Sequence, residues 1–316
     1  MSSRWSASLS ETARSATIPS VPAQPSRRSV LTVALAVPAL AACANAEGRP
    51  PLGRSEGGQA ALASRSSTTT TTKPAVPTIT RAALTAVAGK YLATRTATLG
   101  FSLHDHRTGV RLDYRPQANE TASSIKVLVL ATTLRIAAEN KRSLTATQKA
   151  LATQMIEYSD NNATTRLFRA AGYKNVQRVA GQFGLTGTTI NPAWGISTTT
   201  PADWVKLMDH IVMGSTVLSV ADRAYIRSLM SQVTKTQRWG VANPPVTAAT
   251  VALTKNGWLP YKGVWRVNSM GYLEGQGRKY TLAMLSKSPK GFDYGVQTLN
   301  GLSTTLFAAL GKQLVA

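Results

Sequence analysis

From residue 79 onward the sequence predicts an α+β domain, with an antiparallel sheet built from both ends of the segment, flanking helices and a helical subdomain inserted between. Three observations carry this. Ala97 to Leu103 and Val110 to Tyr114 have strand character and flank Asp105-His106-Arg107-Thr108-Gly109, the polar, glycine-containing break of a hairpin. Three further strand-like stretches occur only near the other end, at Thr250 to Thr254, Trp265 to Leu273 and Tyr280 to Leu285. The order is therefore helix, two strands, helices, three strands, helix, which a sheet closed from both chain ends satisfies.

In chain order, residues 1 to about 25 are polar and rich in Ser, Ala and Pro, without periodicity. Such a composition cannot bury enough surface to offset its ordering entropy. Ser26-Arg27-Arg28-Ser29-Val30-Leu31 then presents paired arginines and leads into an apolar run, Val30 to Ala42, too short to span a bilayer as a mature helix. This pattern predicts a twin-arginine export signal. The run closes in Leu40-Ala41-Ala42-Cys43, which resembles the lipobox of bacterial lipoproteins, with the sole cysteine at the lipidated position. Ala44-Asn45-Ala46 offers an alternative cleavage site of A-x-A form. The stretch before the arginines is long for a signal, which suggests a start nearer Val21. The expected organisation is a lipoprotein signal peptide over 1–43, a Gly/Ser/Thr-rich tether over 44–78 and a folded domain over 79–316. An exported protein, lipid-anchored on the outer face of the cytoplasmic membrane or secreted, follows from it.

Within the domain, Thr80 caps a first helix to Thr94, with Leu84, Val87, Tyr91 and Leu92 near one face. Ile125 to Ala138 is apolar enough to be a helix buried on most sides. Thr145 to Tyr158 reads as the next helix and stops at Ser159-Asp160-Asn161-Asn162. A Gly/Thr/Pro-rich loop over 187–202 enters a helix at Asp203 to Val212. Glu274-Gly275-Gln276-Gly277 turns the last hairpin, and Tyr294 to Leu314 closes the chain as a helix.

Composition excludes several classes. There are 36 Lys and Arg against 14 Asp and Glu, a net charge of +22. The basic residues come at most in pairs, without a basic helix or interleaved aromatics, so no nucleic-acid partner is expected. From Arg81 onward 28 basic and 11 acidic residues remain, an excess that favours anionic envelope polymers or lipid head groups. One cysteine rules out an internal disulfide. With His104, His106 and His210 as the only histidines, a metal site has little to be built from, and neither metal nor cofactor is expected. His104 and His106 alternate like strand neighbours and read as solvent-facing.

The chemistry-bearing stretch is Ser123-Ser124-Ile125-Lys126, where a polar cluster enters the buried helix. On a helix, residues three apart share a face, so the Lys126 amine can reach the Ser123 hydroxyl. A serine needs such a base, and a lysine can serve if desolvation and neighbouring cations lower its pKa. Taken with Ser159-Asp160-Asn161 and Lys255-Asn256-Gly257, it resembles the S-x-x-K, S-D-N and K-T-G elements of class A β-lactamases and penicillin-binding proteins. Trp194-Gly195, Arg238-Trp239-Gly240 and Trp265-Arg266-Val267-Asn268-Ser269 are similar to exported actinobacterial hydrolases of that superfamily. The resemblance implies a β-lactamase-like fold over 79–316. The step of 36 positions from Ser123 to Ser159 implies a trimmed helical subdomain.

For the chemistry it implies Ser123 as nucleophile, Lys126 as base and Ser159 as proton relay. Asn161, Lys255, Asn256, Gly257 and Trp258 would bind substrate, with the backbone N–H groups of Ser123 and Trp258 as the oxyanion hole. Asn256 stands where that family has Thr or Ser, and Trp258 is bulky. The family also carries a glutamate in the loop that activates the deacylating water. Here no acidic residue lies between Asp160 and Asp203. The expectation is a monomeric serine hydrolase acting by acylation on a cell-wall peptide or β-lactam-like molecule, without fast β-lactam turnover. The competing expectation is a degenerate domain that binds envelope ligands in the old cleft.

Overall fold

The computed structural model describes residues 76–316; the expected export signal, Cys43 and nearly all of the tether lie outside the described residues. The first strand β1 (Thr78–Thr80) leads into α1 (Arg81–Ala93), where the Thr80 hydroxyl accepts from the Ala83 N–H. The hairpin β2 (Thr98–Asp105) and β3 (Val110–Tyr114) follows, then the short β4 (Asn119–Glu120). The helices are α2 (Lys126–Glu139), α3 (Ala146–Glu157), α4 (Asn161–Ala171) and α5 (Tyr173–Gln182). Thr145 and Gln148 close a reciprocal capping box at the start of α3. Beyond the loop come β5 (Thr198–Thr199), α6 (Pro201–Val212), α7 (Val220–Ser231), the long strands β6 (Val251–Tyr261), β7 (Val264–Gly275) and β8 (Arg278–Ser288), and finally α8 (Phe292–Ala309) and β9 (Gln313–Val315).

The main sheet has the order β3-β2-β8-β7-β6, antiparallel throughout. Strand period two sends Tyr280, Leu282 and Met284 of β8 to a core shared with α1 and α8. Ala283 and Leu285 go to the opposite core, which contains the helical layer. In that layer α2 is central: Lys126 through Leu134 are all buried, as the unbroken apolar run predicts.

The last helix stops at Ala309, short of the expected Leu314, because the end of the chain has another partner. Gln313–Val315 pair in parallel with Thr78–Thr80, and the Leu314 N–H donates to Asp105. The histidines also depart from expectation. His104 and His106 are not solvent-facing: their side chains are 14% and 0% exposed. The reason is that β2 is an interior strand covered by α6, whose Asp209 meets both imidazoles.

Candidate active site

The Ser123 segment is a 3-10 turn, Ala122–Ile125, that runs into α2 at Lys126. Ala122 takes φ 47°, the left-handed region, which sets Ser123 at the mouth of the helix. Four residues from other elements fix this turn. Asn268 on β7 donates to the carbonyls of Glu120 (2.7 Å) and Thr121 (3.3 Å). The Thr121 N–H donates to Ser197 O at 2.7 Å, continuing the β4–β5 ladder. Trp204 of α6 donates its indole N–H to Ser124 Oγ at 2.8 Å, and Ser124 in turn donates to Thr121 O. Gly257 of β6 packs directly on the turn: a Cβ there would stand 2.5 Å from Ser124 N and 2.7 Å from Ser123 N. Only glycine lets the strand approach this closely.

Below Ser123 lies a polar cluster made by three elements. Lys126 is fully buried, and its Nζ donates to the Ser159 carbonyl (2.6 Å) and to Asn161 Oδ1 (2.9 Å), with Ser159 Oγ at 3.1 Å. Lys255 is equally buried, and its Nζ is 2.9 Å from the same hydroxyl and 3.1 Å from Asn256 O. One serine oxygen thus bridges two lysine nitrogens. Ser159 holds φ 59°, a strained setting for a residue with a side chain, and Asp160 anchors it by capping α4 through the Ala163 N–H at 2.6 Å. Burial pushes the Lys126 ammonium down to about 6; the Lys255 charge adds to that shift and Asp160 opposes it. Burial alone pushes Lys255 down to about 7. Near neutrality Lys126 is therefore mostly a free base, able to accept a proton.

Ser123, half-buried, makes no hydrogen bond through Oγ among the described residues, so the direct contact with Lys126 that the spacing predicts is not formed here. The amine is turned toward Ser159 and Asn161 instead. Catalytic contacts of this kind often tighten only when substrate binds.

One residue behaves differently from expectation. Asn256 does not face the cleft: strand alternation turns it to the opposite side from Lys255, where its amide donates to Gln237 O (2.7 Å) and Trp239 O (3.0 Å). It fastens the 235–242 segment to β6 and has no donor left for substrate. Trp258 packs within an aromatic cluster, 6.0 Å from Trp239 and 5.7 Å from Phe292 between ring centroids.

The loop before α6 contributes a residue that sequence reasoning named without assigning a role. Trp194 lies with its ring centroid 5.1 Å from Lys126 Nζ and donates Nε1–H to Thr165. Its indole therefore lies beside the Lys126 amine.

The description "Beta-lactamase enzyme family" matches residues 146–310. No curated protein sequence matches the chain. Among solved structures, the TLA-1 extended-spectrum β-lactamase is similar at 18% identity, covering 73% of this chain and 99% of that one, with a TM-score of 0.66. A PBP-A variant in an acyl-enzyme complex with penicillin G is similar at 22% identity (74% and 98% coverage, TM-score 0.63), and a class A β-lactamase from Mycobacterium abscessus at 17% (72% and 99%, TM-score 0.62). These likenesses establish the shared fold. The family match spans more than half of the sequence and takes in Ser159, Asn161 and Lys255, so the chain belongs to the β-lactamase enzyme family, whose members are serine hydrolases that work through an acyl-enzyme.

Proposed function

We propose that the domain transfers the acyl group of an amide or strained lactam, from a cell-wall peptide or a β-lactam-like compound, onto Ser123. The observation that carries this reading is the fully buried Lys126 sharing the Ser159 hydroxyl with Lys255, a burial that pushes its ammonium down to about 6. As Ser123 Oγ attacks the carbonyl carbon, its proton passes to Lys126 Nζ. The new C–O bond forms as the carbonyl π pair moves to oxygen, which is met by the N–H groups of Ser123 and Trp258. Collapse breaks the C–N bond, and the leaving nitrogen receives a proton through the Ser159 hydroxyl. Lys255 restores the positive charge of the cleft and attracts a substrate carboxylate.

Release of the acyl group requires an activated water. No carboxylate hydrogen-bonds to Lys126, Ser123 or Ser159 among the described residues, and Asp160 is committed to its cap. The acyl-enzyme is accordingly long-lived, closer to a penicillin-binding protein than to a fast β-lactamase.

The test is to incubate the tether-free domain with penicillin G or a fluorophosphonate and map the modified peptide. Label on Ser123 that disappears in Ser123→Ala supports the acyl-transfer reading. Absence of label with both reagents, alongside measurable binding of wall glycan, would favour the binding-only alternative.

The paired arginines, the apolar run and Cys43 support export with a lipid anchor, placing this cleft at the wall side of the membrane. Cys43→Ser should release the protein from membranes; unchanged retention would count against the anchor.

A further inference from the structure

On the face of the sheet covered by α6, well separated in sequence from every residue assigned to acylation, two imidazoles and one carboxylate converge. His104 and His106 are two apart on β2, so strand period two points both rings to the same side. Asp209 comes down from α6 to meet them. His104 Nδ1 is 2.9 Å from Asp209 Oδ2, and His106 Nε2 is 3.4 Å from Asp209 Oδ1. One donor atom from each residue lies within 4.8 Å of the others. A cation with bonds near 2.1 Å in tetrahedral geometry holds its donors about 3.4 Å apart, so the widest pair of donor atoms has at most about 1.4 Å to close on one ion.

Two further observations point to a ligand. Asp209 Oδ1 is a buried acceptor with no hydrogen-bond partner among the described residues. An orphaned buried carboxylate oxygen is costly, and a cation at that oxygen removes the cost. His106 Nδ1 is likewise buried with no hydrogen-bond partner among the described residues, whereas His106 Nε2 meets the Thr281 hydroxyl at 2.7 Å, a contact that ligation through Nε2 must replace. The opposing charge is Arg111, which donates to Asp209 Oδ2 at 2.6 Å, but its side chain is 52% exposed and can swing into solvent. Lys279, also nearby, is paired with Glu274 at 3.1 Å.

We propose that His104, His106 and Asp209 bind one divalent cation of borderline hardness, of the zinc class. Two nitrogens and one oxygen disfavour hard ions such as Mg2+, which prefer all-oxygen shells. The bound ion ties β2 to α6. Because α6 also carries Trp204, which holds Ser124 beside the nucleophile, the ion steadies the frame of the active site without touching substrate.

The experiment uses the chelator-treated, tag-free chain. Titration with Zn2+ by calorimetry and native mass spectrometry should show one equivalent bound and a raised thermal midpoint, with no comparable response to Mg2+. His104→Gln, at the partly exposed ligand, should weaken zinc binding at least tenfold and abolish the thermal shift, as should Asp209→Asn. His210→Gln, which changes the remaining histidine, should bind as wild type does. The proposal is overturned if no stoichiometric zinc is taken up, or if His104→Gln, confirmed as folded by circular dichroism, binds it unchanged. Penicillin labelling of Ser123 is read separately, so a failure here leaves the acyl-transfer reading standing.

Discussion

Lys126 and Ser159 stand 33 residues apart in sequence, yet the amine is held by both the carbonyl and the hydroxyl of that serine. In the proposed acyl transfer this lysine is the base, and the pH dependence of acylation should report it. The acylation rate should rise with pH through an apparent value near 6 as Lys126 loses its proton. Because Lys255 shares Ser159, that apparent value belongs to the pair. Lys255→Met removes the cation that helps keep Lys126 uncharged, so the rising limb should move to higher pH. Stopped-flow acylation with a chromogenic β-lactam measures the shift, and an unmoved limb would show that Lys255 does not tune the base. Asn256→Ala should behave differently. Its amide serves two backbone carbonyls, so the change should cost about 1–3 kcal/mol of stability. Apparent substrate affinity should hardly move, which a melting curve and a titration of the labelling rate can separate.

At the scale of elements, the site is the meeting of the 3-10 turn, the α3–α4 junction and β6. Gly257→Ala is the sharpest probe of that meeting. Its Cβ would run into the backbone of Ser123, Ser124 and Thr121, and backbone cannot rotate away as a side chain can. Displacing β6 from the turn should lower acylation by about 10²-fold or more, the scale of losing one oxyanion donor; a near-normal rate would contradict the proposed oxyanion geometry. Much of this level was legible beforehand. Thr80 and Thr145 open helices where the sequence places them, and the serine and lysine motifs are legible through the family resemblance, whereas the helix expected from Asp203 starts at Pro201, capped by Thr200. What was not legible depends on partners far away in the chain. Trp204 reaches Ser124 across 80 residues, His104 meets Asp209 across 105, and Asn268 supports Glu120 across 148. The direction Asn256 faces was open to strand alternation, but only the packing of the 235–242 segment showed what it binds.

For the molecule as a whole, the two buried lysines Lys126 and Lys255 are a standing cost in stability. The folded-state pKa of Lys126 lies below its value in the unfolded chain. Between about 6 and about 10.4 the unfolded state therefore binds more protons, and stability should rise with pH across that window. Lys126→Met removes this term. The variant should be more stable than wild type at pH 7 and converge toward it as pH approaches 10, while losing acylation. Chemical denaturation at several pH values checks both halves; a variant less stable than wild type at pH 7 would indicate that the amine's hydrogen bonds outweigh its burial.

Time-resolved intact mass of the domain after mixing with penicillin G tests the central claim most directly. The account predicts one adduct equal to the whole mass of the drug, since ring opening expels no fragment. That adduct should accumulate to one per chain, persist long after the reagent is removed, and be missing in Ser123→Ala. Failure of wild type to form it, or its appearance on the Ser123→Ala chain, would contradict acylation at Ser123; drug consumption without accumulation would contradict the slow release assigned to the acid-free loop.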